Sequence, residues 1–144
     1  MKKTNNKGFS LVELIIVIAI MAVLIGVLAP QFIKYVEKSK ESKDISNLDS
    51  CVSVVQAYYA DKDWPTGGVT ITASKGNVLA SSNGQDALDD AGANNSKVTG
   101  DWTADISATI TSDGKVEYAG TATYYQATTD KSGFEAVESG KKTD

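Results

Sequence analysis

The chain has 144 residues, with 14 lysines, 18 acidic residues, no histidine and a formal net charge of −4. Three of the lysines lie in the first eight residues, so the remainder carries 11 lysines against 18 acids, a balance of −7. This acidic balance offers no basic patch to offset phosphate repulsion, which argues against nucleic acid as a partner. The one cysteine, Cys51, excludes an intrachain disulfide and has no histidine to activate it, which argues against an enzyme. We expect no cofactor and no metal site.

A long apolar run follows the short basic segment of residues 1–8. Between Lys7 and Lys34 the only charged residue is Glu13, and the run over 14–33 is 20 residues long. As a helix it would measure about 30 Å, the thickness of the hydrocarbon core of a bilayer. This pattern predicts a membrane-spanning helix with a carboxylate at its edge, where a charge is costly unless it has a partner.

Two other interpretations of the run remain open. A secretory signal peptide would need a shorter apolar core and a small-x-small cleavage site, neither of which the sequence has. A plain signal anchor would need only the run itself. The positive-inside rule leaves the orientation undecided, because lysines flank the run on both sides: Lys2, Lys3 and Lys7 before it, and Lys34, Lys38, Lys40 and Lys43 after it.

Two residues inside the run favour a local distortion of the helix. Pro30 removes one backbone donor and crowds the preceding turn, and Gly26 lies about one turn earlier. We expect a kink or a short unwound stretch between these two residues. The helix should continue beyond it, because apolar residues keep recurring at helical spacing.

An amphipathic pattern extends the predicted helix, which should cover about residues 10–61 and end before Pro65. Its apolar residues step by three or four positions within about 80° of arc: Ile45, Leu48, Val52, Val55 and Tyr59, flanked by Cys51 and Tyr58. The opposite face is expected to carry Lys40, Lys43, Asp44 and Asn47. Three pairs have the spacing of ion pairs on a helix surface: Lys34 with Glu37, Lys38 with Glu41, and Lys40 with Asp44.

After the helix, apolar and polar residues alternate with a period of two, which predicts strands in the rest of the chain. The best signal is a hairpin over residues 106–118, with Ser112-Asp113-Gly114 as its turn. Val69–Thr72 is a short candidate strand, and Thr121–Ala127 is a plausible third strand beside the hairpin. One or two helical turns are expected over Gln85–Ala91.

The predicted organisation has three parts. Residues 1–8 form a leader, 9–35 the apolar half of the helix, and 36–144 a head with its own core. Within the head, an antiparallel sheet at about 104–128 should cover the apolar stripe of the helix, giving an α+β fold. The loop over 64–100 is poorly patterned, and the tail from residue 128 is expected to be mostly irregular.

Four other features have an ordinary structural interpretation. Cys51 is more readily a buried apolar residue than a reactive thiol. Three carboxylates could hold calcium but match no EF-hand spacing, so a solvated acidic face is preferred: Asp86, Asp89 and Asp90. Asn94-Asn95-Ser96 fits a glycosylation sequon of a kind common by chance. Four aromatic residues are assigned to the core or to loop anchoring: Tyr58, Tyr59, Trp64 and Trp102.

The opening stretch resembles the N-terminus of the type IV pilin family. The motif combines Gly8, Phe9 directly after it, Glu13 four residues further on, and an unbroken apolar helix with Pro30. It covers about residues 7–35 closely. The remainder matches in layout alone, and the resemblance implies the type IV pilin fold, in which a long N-terminal helix packs by its second half on a small antiparallel sheet.

The resemblance also implies a sequence of events for this chain. A membrane-bound prepilin peptidase would cut between Gly8 and Phe9 and N-methylate the new Phe9 amine, with the leader on the cytoplasmic side. The pilus assembly machinery would then pack the membrane-stored subunit into a helical homo-oligomeric filament outside the cell, for adhesion, motility, aggregation or biofilm formation. Two alternatives are a pseudopilin of a type II secretion or competence system, and an anchored binding domain that never polymerises.

The chain departs from the family pattern at its cysteines. Many Gram-negative members fix their C-terminal loop with a disulfide, whereas this chain has only Cys51, on the predicted helix. Together with the absence of arginine, this suggests a Gram-positive relative of clostridial type. It leaves the fixation of the C-terminal tail without an explanation. Ser10 stands where many members have threonine, which is also a small hydroxyl.

The role of Glu13 can be argued from chemistry. Cleavage converts the uncharged Phe9 amide into an α-amino group, whose pKa is ordinarily about 7.7–8.0, so it is mostly cationic at neutral pH. An unpaired carboxylate among packed apolar helices would cost several kcal/mol, whereas a paired one is tolerated. We therefore predict an inter-subunit ion pair between Glu13 and a neighbour's Phe9 amine. Alternatively, Glu13 complements the dipole of the first helical turn or pairs with its own Phe9 amine.

Overall fold

The computed structural model describes residues 7–77 and 79–137. The chain divides into two compact units, Met1–Tyr35 and Val36–Asp144. A single long helix, α1 (Leu11–Tyr58), contributes residues to both. These bounds agree with the predicted helix to within three residues at either end, and the α+β class is confirmed.

The first unit contains the apolar half of α1, and its side chains are exposed. Val17 and Met21, the least exposed of its large apolar residues, still expose 51% of their surface. A helix of this kind, apolar on every side, requires lipid or other apolar helices as its surroundings.

The second half of α1 buries the predicted stripe. Leu48, Cys51, Val52 and Val55 are buried, and Ile45, Tyr58 and Tyr59 pack at the border of the same core. Periodic apolar residues therefore predicted this face correctly.

A four-stranded antiparallel sheet lies against that stripe. Its strands are β1 (Val69–Ala73), β2 (Ala80–Ser82), β3 (Ile106–Ile110) and β4 (Val116–Ala119), in the order β2-β1-β3-β4. Alternate residues of β1 and β3 point into the core, and all six are buried: Val69, Ile71, Ala73, Ile106, Ala108 and Ile110. The hairpin prediction is confirmed, and the sheet also draws two strands from the poorly patterned region over 64–100.

Two short helical segments and a second hairpin complete the head. Helix α2 (Gln85–Asp90) confirms the helical turns expected there, and a 3₁₀ turn follows at Ala93–Asn95. Strand β5 (Tyr125–Ala127) pairs with β6 (Phe134–Ala136) in a separate two-stranded sheet. The strand predicted over Thr121–Ala127 is therefore present in part, as β5, but it pairs with β6 and not with the first hairpin. The tail also contains a strand, β6, where mostly irregular structure was predicted.

The structure corrects the expected position of Asp44. Asp44 and Glu41 are buried, with 1% and 0% of their surfaces exposed, although Asp44 was predicted on the polar face. At 100° per residue, Asp44 lies only about 40° around the helix from Leu48, so both carboxylates continue the buried stripe. The predicted pairs Lys38–Glu41 and Lys40–Asp44 are wrong for this reason. Lys40 instead contacts Glu37 at 3.3 Å.

Asp44 is held by donors from the loop that leads into β3. Its carboxylate accepts the backbone N–H groups of Thr99 at 3.1 Å and Gly100 at 2.6 Å, and the indole N–H of Trp102 at 3.0 Å. Three neutral donors thus satisfy a buried carboxylate, which would otherwise carry a large desolvation cost.

Glu41 performs the same role for the loop between β4 and β5. Its two oxygens accept the backbone N–H groups of Thr123 at 3.2 Å and Tyr124 at 2.8 Å. Burial raises the pKa of the Glu41 carboxyl above its ordinary value, and the two N–H donors act in the opposite direction. We call Glu41 and Asp44 the carboxylate clamp, because together they attach two separate loops to α1.

The carboxylate clamp explains how the described part of the tail is fixed without a disulfide. Trp102, positioned by Asp44, contacts the Phe134 ring edge-on with centroids 5.5 Å apart, and Tyr118 contacts it at 5.6 Å. Phe134 belongs to β6, so the C-terminal hairpin is anchored through side-chain packing on loops that α1 holds.

The first prediction concerns Asp44. Asp44→Ala leaves three donors without an acceptor, two of them buried, so we expect the free energy of unfolding to fall by about 3–5 kcal/mol. Urea unfolding of the full chain in detergent, followed by tryptophan fluorescence, measures this loss. Asp61→Ala, at an exposed position, is the control and should stay within about 0.5 kcal/mol. Equal stabilities of the two variants would contradict the clamp.

A second prediction concerns Gly100. A Cβ atom there would lie 2.8 Å from Cγ of Glu41 and 2.9 Å from Oδ2 of Asp44, so the loop must move away from α1. Gly100→Ala should cost about 1–3 kcal/mol from overpacking, and more where the bond to Asp44 lengthens. Gly133→Ala, where a Cβ meets nothing within 4 Å, is the matched control. A loss common to both variants would point to a backbone effect instead.

A third prediction follows from the raised pKa of Glu41. The folded chain holds this proton to a higher pH than the unfolded chain, so the stability that Glu41 contributes is present at low pH. It is lost as pH rises from about 4.5 through the folded pKa. The difference in unfolding free energy between the wild type and Glu41→Gln should fall over this window. A difference that is constant or rises with pH would contradict the prediction.

Candidate functional site

The candidate site begins with exposed backbone ahead of α1. Residues 7–10 are not helical, and Phe9 exposes 88% of its surface. A Cβ at Gly8 would meet nothing within 4 Å. The Gly8–Phe9 peptide bond is therefore accessible and lies two residues before the first helical residue.

Ser10 and Glu13 form a reciprocal cap at the start of α1. The Ser10 hydroxyl oxygen accepts the Glu13 backbone N–H at 3.2 Å, and Glu13 Oε2 accepts the Ser10 backbone N–H at 3.1 Å. The first helical bond runs from the Leu14 N–H to the Ser10 carbonyl at 3.2 Å. This is a capping box, which satisfies donors that a helix start leaves free.

The cap gives Glu13 a local role in the single chain. It agrees with the alternative in which Glu13 stabilises the first turn, and its signal, serine followed three residues later by glutamate, is readable in the sequence. Considering Ser10 only as a small hydroxyl misses this signal. The ion pair between Glu13 and a neighbour's Phe9 amine stays a prediction, since it requires a second subunit.

The helix behind the cap is long and apolar enough to cross a membrane. It remains helical through Gly26 and Pro30, so the short unwound stretch expected between them is absent from this helix. The kink at these residues stays a prediction.

The remaining candidate residues, Cys51 and the acidic residues near α2, make structural contacts. Cys51 is buried 3.8 Å from the Ala93 carbonyl, and burial raises the pKa of its thiol, which makes it unreactive. Asp89 accepts the side-chain amides of Gln85 and Asn94. Within 7–77 and 79–137, no three His, Cys, Asp or Glu side chains are grouped to hold a metal ion.

The aromatic residues anchor loops, as predicted. Trp64 stacks on Tyr59 with centroids 5.0 Å apart, and the Tyr59 hydroxyl donates to the Asn83 carbonyl at 2.9 Å. Trp102 donates its indole N–H to the carboxylate clamp. These contacts tie the loops after α1 and before β3 to the core.

Comparison with known proteins identifies the N-terminal segment. The family model of the prokaryotic N-terminal methylation motif matches residues 3–29, a range that includes the Gly8–Phe9 bond, the cap and most of the apolar run. No solved structure matches the chain.

Several curated proteins are similar to the chain over part of its length. It is 38% identical over 59 residues to the type IV major pilin protein PilA of Myxococcus xanthus, covering 41% of this chain and 27% of that protein. It is 39% identical over 84 residues to prepilin peptidase-dependent protein A of Clostridium perfringens, covering 56% and 59%. It is 30% identical over 97 residues to the type IV major fimbrial protein FimA of Dichelobacter nodosus, covering 60% and 62%.

The matches thus span from about a quarter to three fifths of each relative. The head shares the predicted layout of helix and antiparallel sheet. The chain therefore carries the prokaryotic N-terminal methylation motif, is similar to type IV major pilin and fimbrial proteins over part of its length, and has the α+β arrangement that the resemblance to the type IV pilin family implies.

Proposed function

We propose that this chain is the structural subunit of a type IV pilus, stored in the membrane and then polymerised through the first half of α1. One observation carries the proposal: a helical segment whose apolar side chains are exposed on every side begins two residues after an accessible Gly8–Phe9 bond. Such a segment needs lipid first and the same segments of other subunits later. The acidic, compact head would form the outer surface of the filament, used in adhesion, motility or biofilm formation.

Processing would control assembly through Glu13. In the precursor its carboxylate accepts the Ser10 N–H, so the helix start is satisfied before any partner arrives. A prepilin peptidase would release the leader, create the Phe9 amine and methylate it. Glu13 then pairs with the amine of a neighbouring subunit, a contact that fixes the axial register of one helix on the next.

The cap makes Glu13→Gln the informative variant beside Glu13→Ala. A glutamine at this position can still accept the Ser10 N–H, so it keeps the capping box but has no charge. Loss of a buried ionic partner costs about 3–5 kcal/mol, and each 1.4 kcal/mol is tenfold in an equilibrium constant. We expect both variants to be cleaved normally and to yield at least tenfold fewer filaments in the native host, measured by electron microscopy and by blotting of sheared filaments.

The outcomes separate the two roles of Glu13. If Glu13→Gln assembles like the wild type while Glu13→Ala does not, the cap rather than the ion pair governs assembly. Normal filaments from both variants would overturn the proposed pairing. The mass and N-terminal residue of the mature chain test the processing step directly: N-methyl-Phe9 supports it, and a retained Met1 contradicts it. Antibody label confined to the cell membrane, with no label along fibres, would contradict a pilus.

A further inference from the structure

Three exposed lysines lie on α1 just after its apolar half. We call Lys38, Lys40 and Lys43 the basic collar. Sequence spacing offers carboxylates to two of them, but those carboxylates are Glu41 and Asp44, which are buried and bound to backbone and indole N–H groups. Within residues 7–77 and 79–137, the salt bridge that reaches the collar joins Lys40 to Glu37 at 3.3 Å.

The basic collar contrasts with the charge of the rest of the head. Residues 45–137 carry five lysines against twelve acidic residues. Residues 36–44 carry three exposed lysines against one carboxylate outside the core, Glu37. The burial of the carboxylate clamp therefore leaves a local positive surface on an otherwise acidic unit.

The position of the collar along the chain indicates its partner. Lys38 follows Ile33, the end of the apolar run, by five residues, and Lys43 follows it by ten. At 1.5 Å per residue these positions lie about 7 and 15 Å along the helix from the end of the run. The polar headgroup layer extends about 5–8 Å beyond the hydrocarbon core, and the Debye length at physiological salt is about 8 Å. The Lys38 side chain can therefore reach phosphate, and the Lys43 charge lies within about one Debye length of the headgroup layer.

We propose that the basic collar binds anionic phospholipid headgroups while the subunit is stored in the membrane. This inference rests on the proposed membrane-stored pilin. Lipid phosphate is favoured over the acidic head of a second copy because the collar directly follows a segment of membrane-spanning length. The contact keeps an acidic head, which an anionic surface repels, attached close to that surface.

The test uses the full chain, one copy per nanodisc, in phosphatidylcholine alone or mixed with phosphatidylglycerol. An uncharged acylating reagent reports the reactivity of every lysine by mass spectrometry. An anionic surface concentrates protons about three- to sevenfold, so lysines at that surface should react about three- to sevenfold more slowly. We expect this slowing at Lys38 and Lys43 in the anionic nanodiscs, with recovery in high salt. Lys62, beyond the far end of α1, is the internal control.

A matched pair of variants tests the collar by a second measurement. Native mass spectrometry counts the phosphatidylglycerol molecules that stay bound to the chain. Lys38→Gln with Lys43→Gln should retain fewer than the wild type, whereas Lys62→Gln with Lys115→Gln removes the same charge elsewhere and should retain as many. Both control lysines are exposed.

Three outcomes would overturn the inference. Equal acylation rates in the two lipids would exclude headgroup binding. Protection of the collar only in assembled filaments, with none in single-copy nanodiscs, would assign it to a second copy of the chain. Failure of the wild-type chain to insert into nanodiscs would instead remove the proposed membrane storage on which the inference depends.

Discussion

The head depends on two buried carboxylates that are satisfied without a cation. Glu41 and Asp44 accept hydrogen bonds from five backbone and indole N–H groups of two loops that lie far from them in the sequence. Donors of this kind lower the cost of burying a carboxylate, and truncating the side chain would leave each donor without its acceptor. Gly100 shows how closely the loop approaches, since the space for even one methyl group is taken by the clamp. These hydrogen bonds thus attach the two loops to α1, a role that a disulfide could fill in a chain with more cysteines.

The parts of the structure that were predictable have signals that are local. Apolar residues recur with a period of 3.6 in the stripe from Leu48 to Val55 and with a period of 2 in the β3–β4 hairpin. Each pattern depends only on residues close together in the sequence. The capping box was equally readable, from Ser10 and Glu13 alone. The cleavage site and the predicted ion pair rest on the resemblance, and a single chain does not contain the neighbour that the ion pair needs.

The carboxylate clamp could not be predicted from the same rules, because its donors lie more than fifty residues away in the chain. Helix spacing assigned Asp44 to a surface pair with Lys40, a reasonable expectation for a charge whose surroundings are unknown. The helical spacing of the stripe includes positions 41, 44, 48, 51 and 55. A carboxylate is rarely buried without a partner, however, so the sequence alone does not place Glu41 and Asp44 in the core. The pairing of β5 with β6 was missed for a related reason: Phe134 forms a strand where Trp102 and Tyr118 pack on it, not where propensity places one.

The carboxylates on α1 differ in how many hydrogen-bond donors engage them, and this difference decides which of them can still pair with a cation. Glu13 is exposed and its cap engages one oxygen, so the carboxylate can still accept a cation when one is created beside it. Glu41 and Asp44 are fully engaged inside the head and therefore cannot neutralise the lysines that follow the apolar run. The same burial that fixes the C-terminal hairpin consequently sets the charge of the helix surface that follows the apolar run. A substitution that releases Asp44 to solvent would change both properties together, because the freed carboxylate would lie at helix-pair spacing from Lys40.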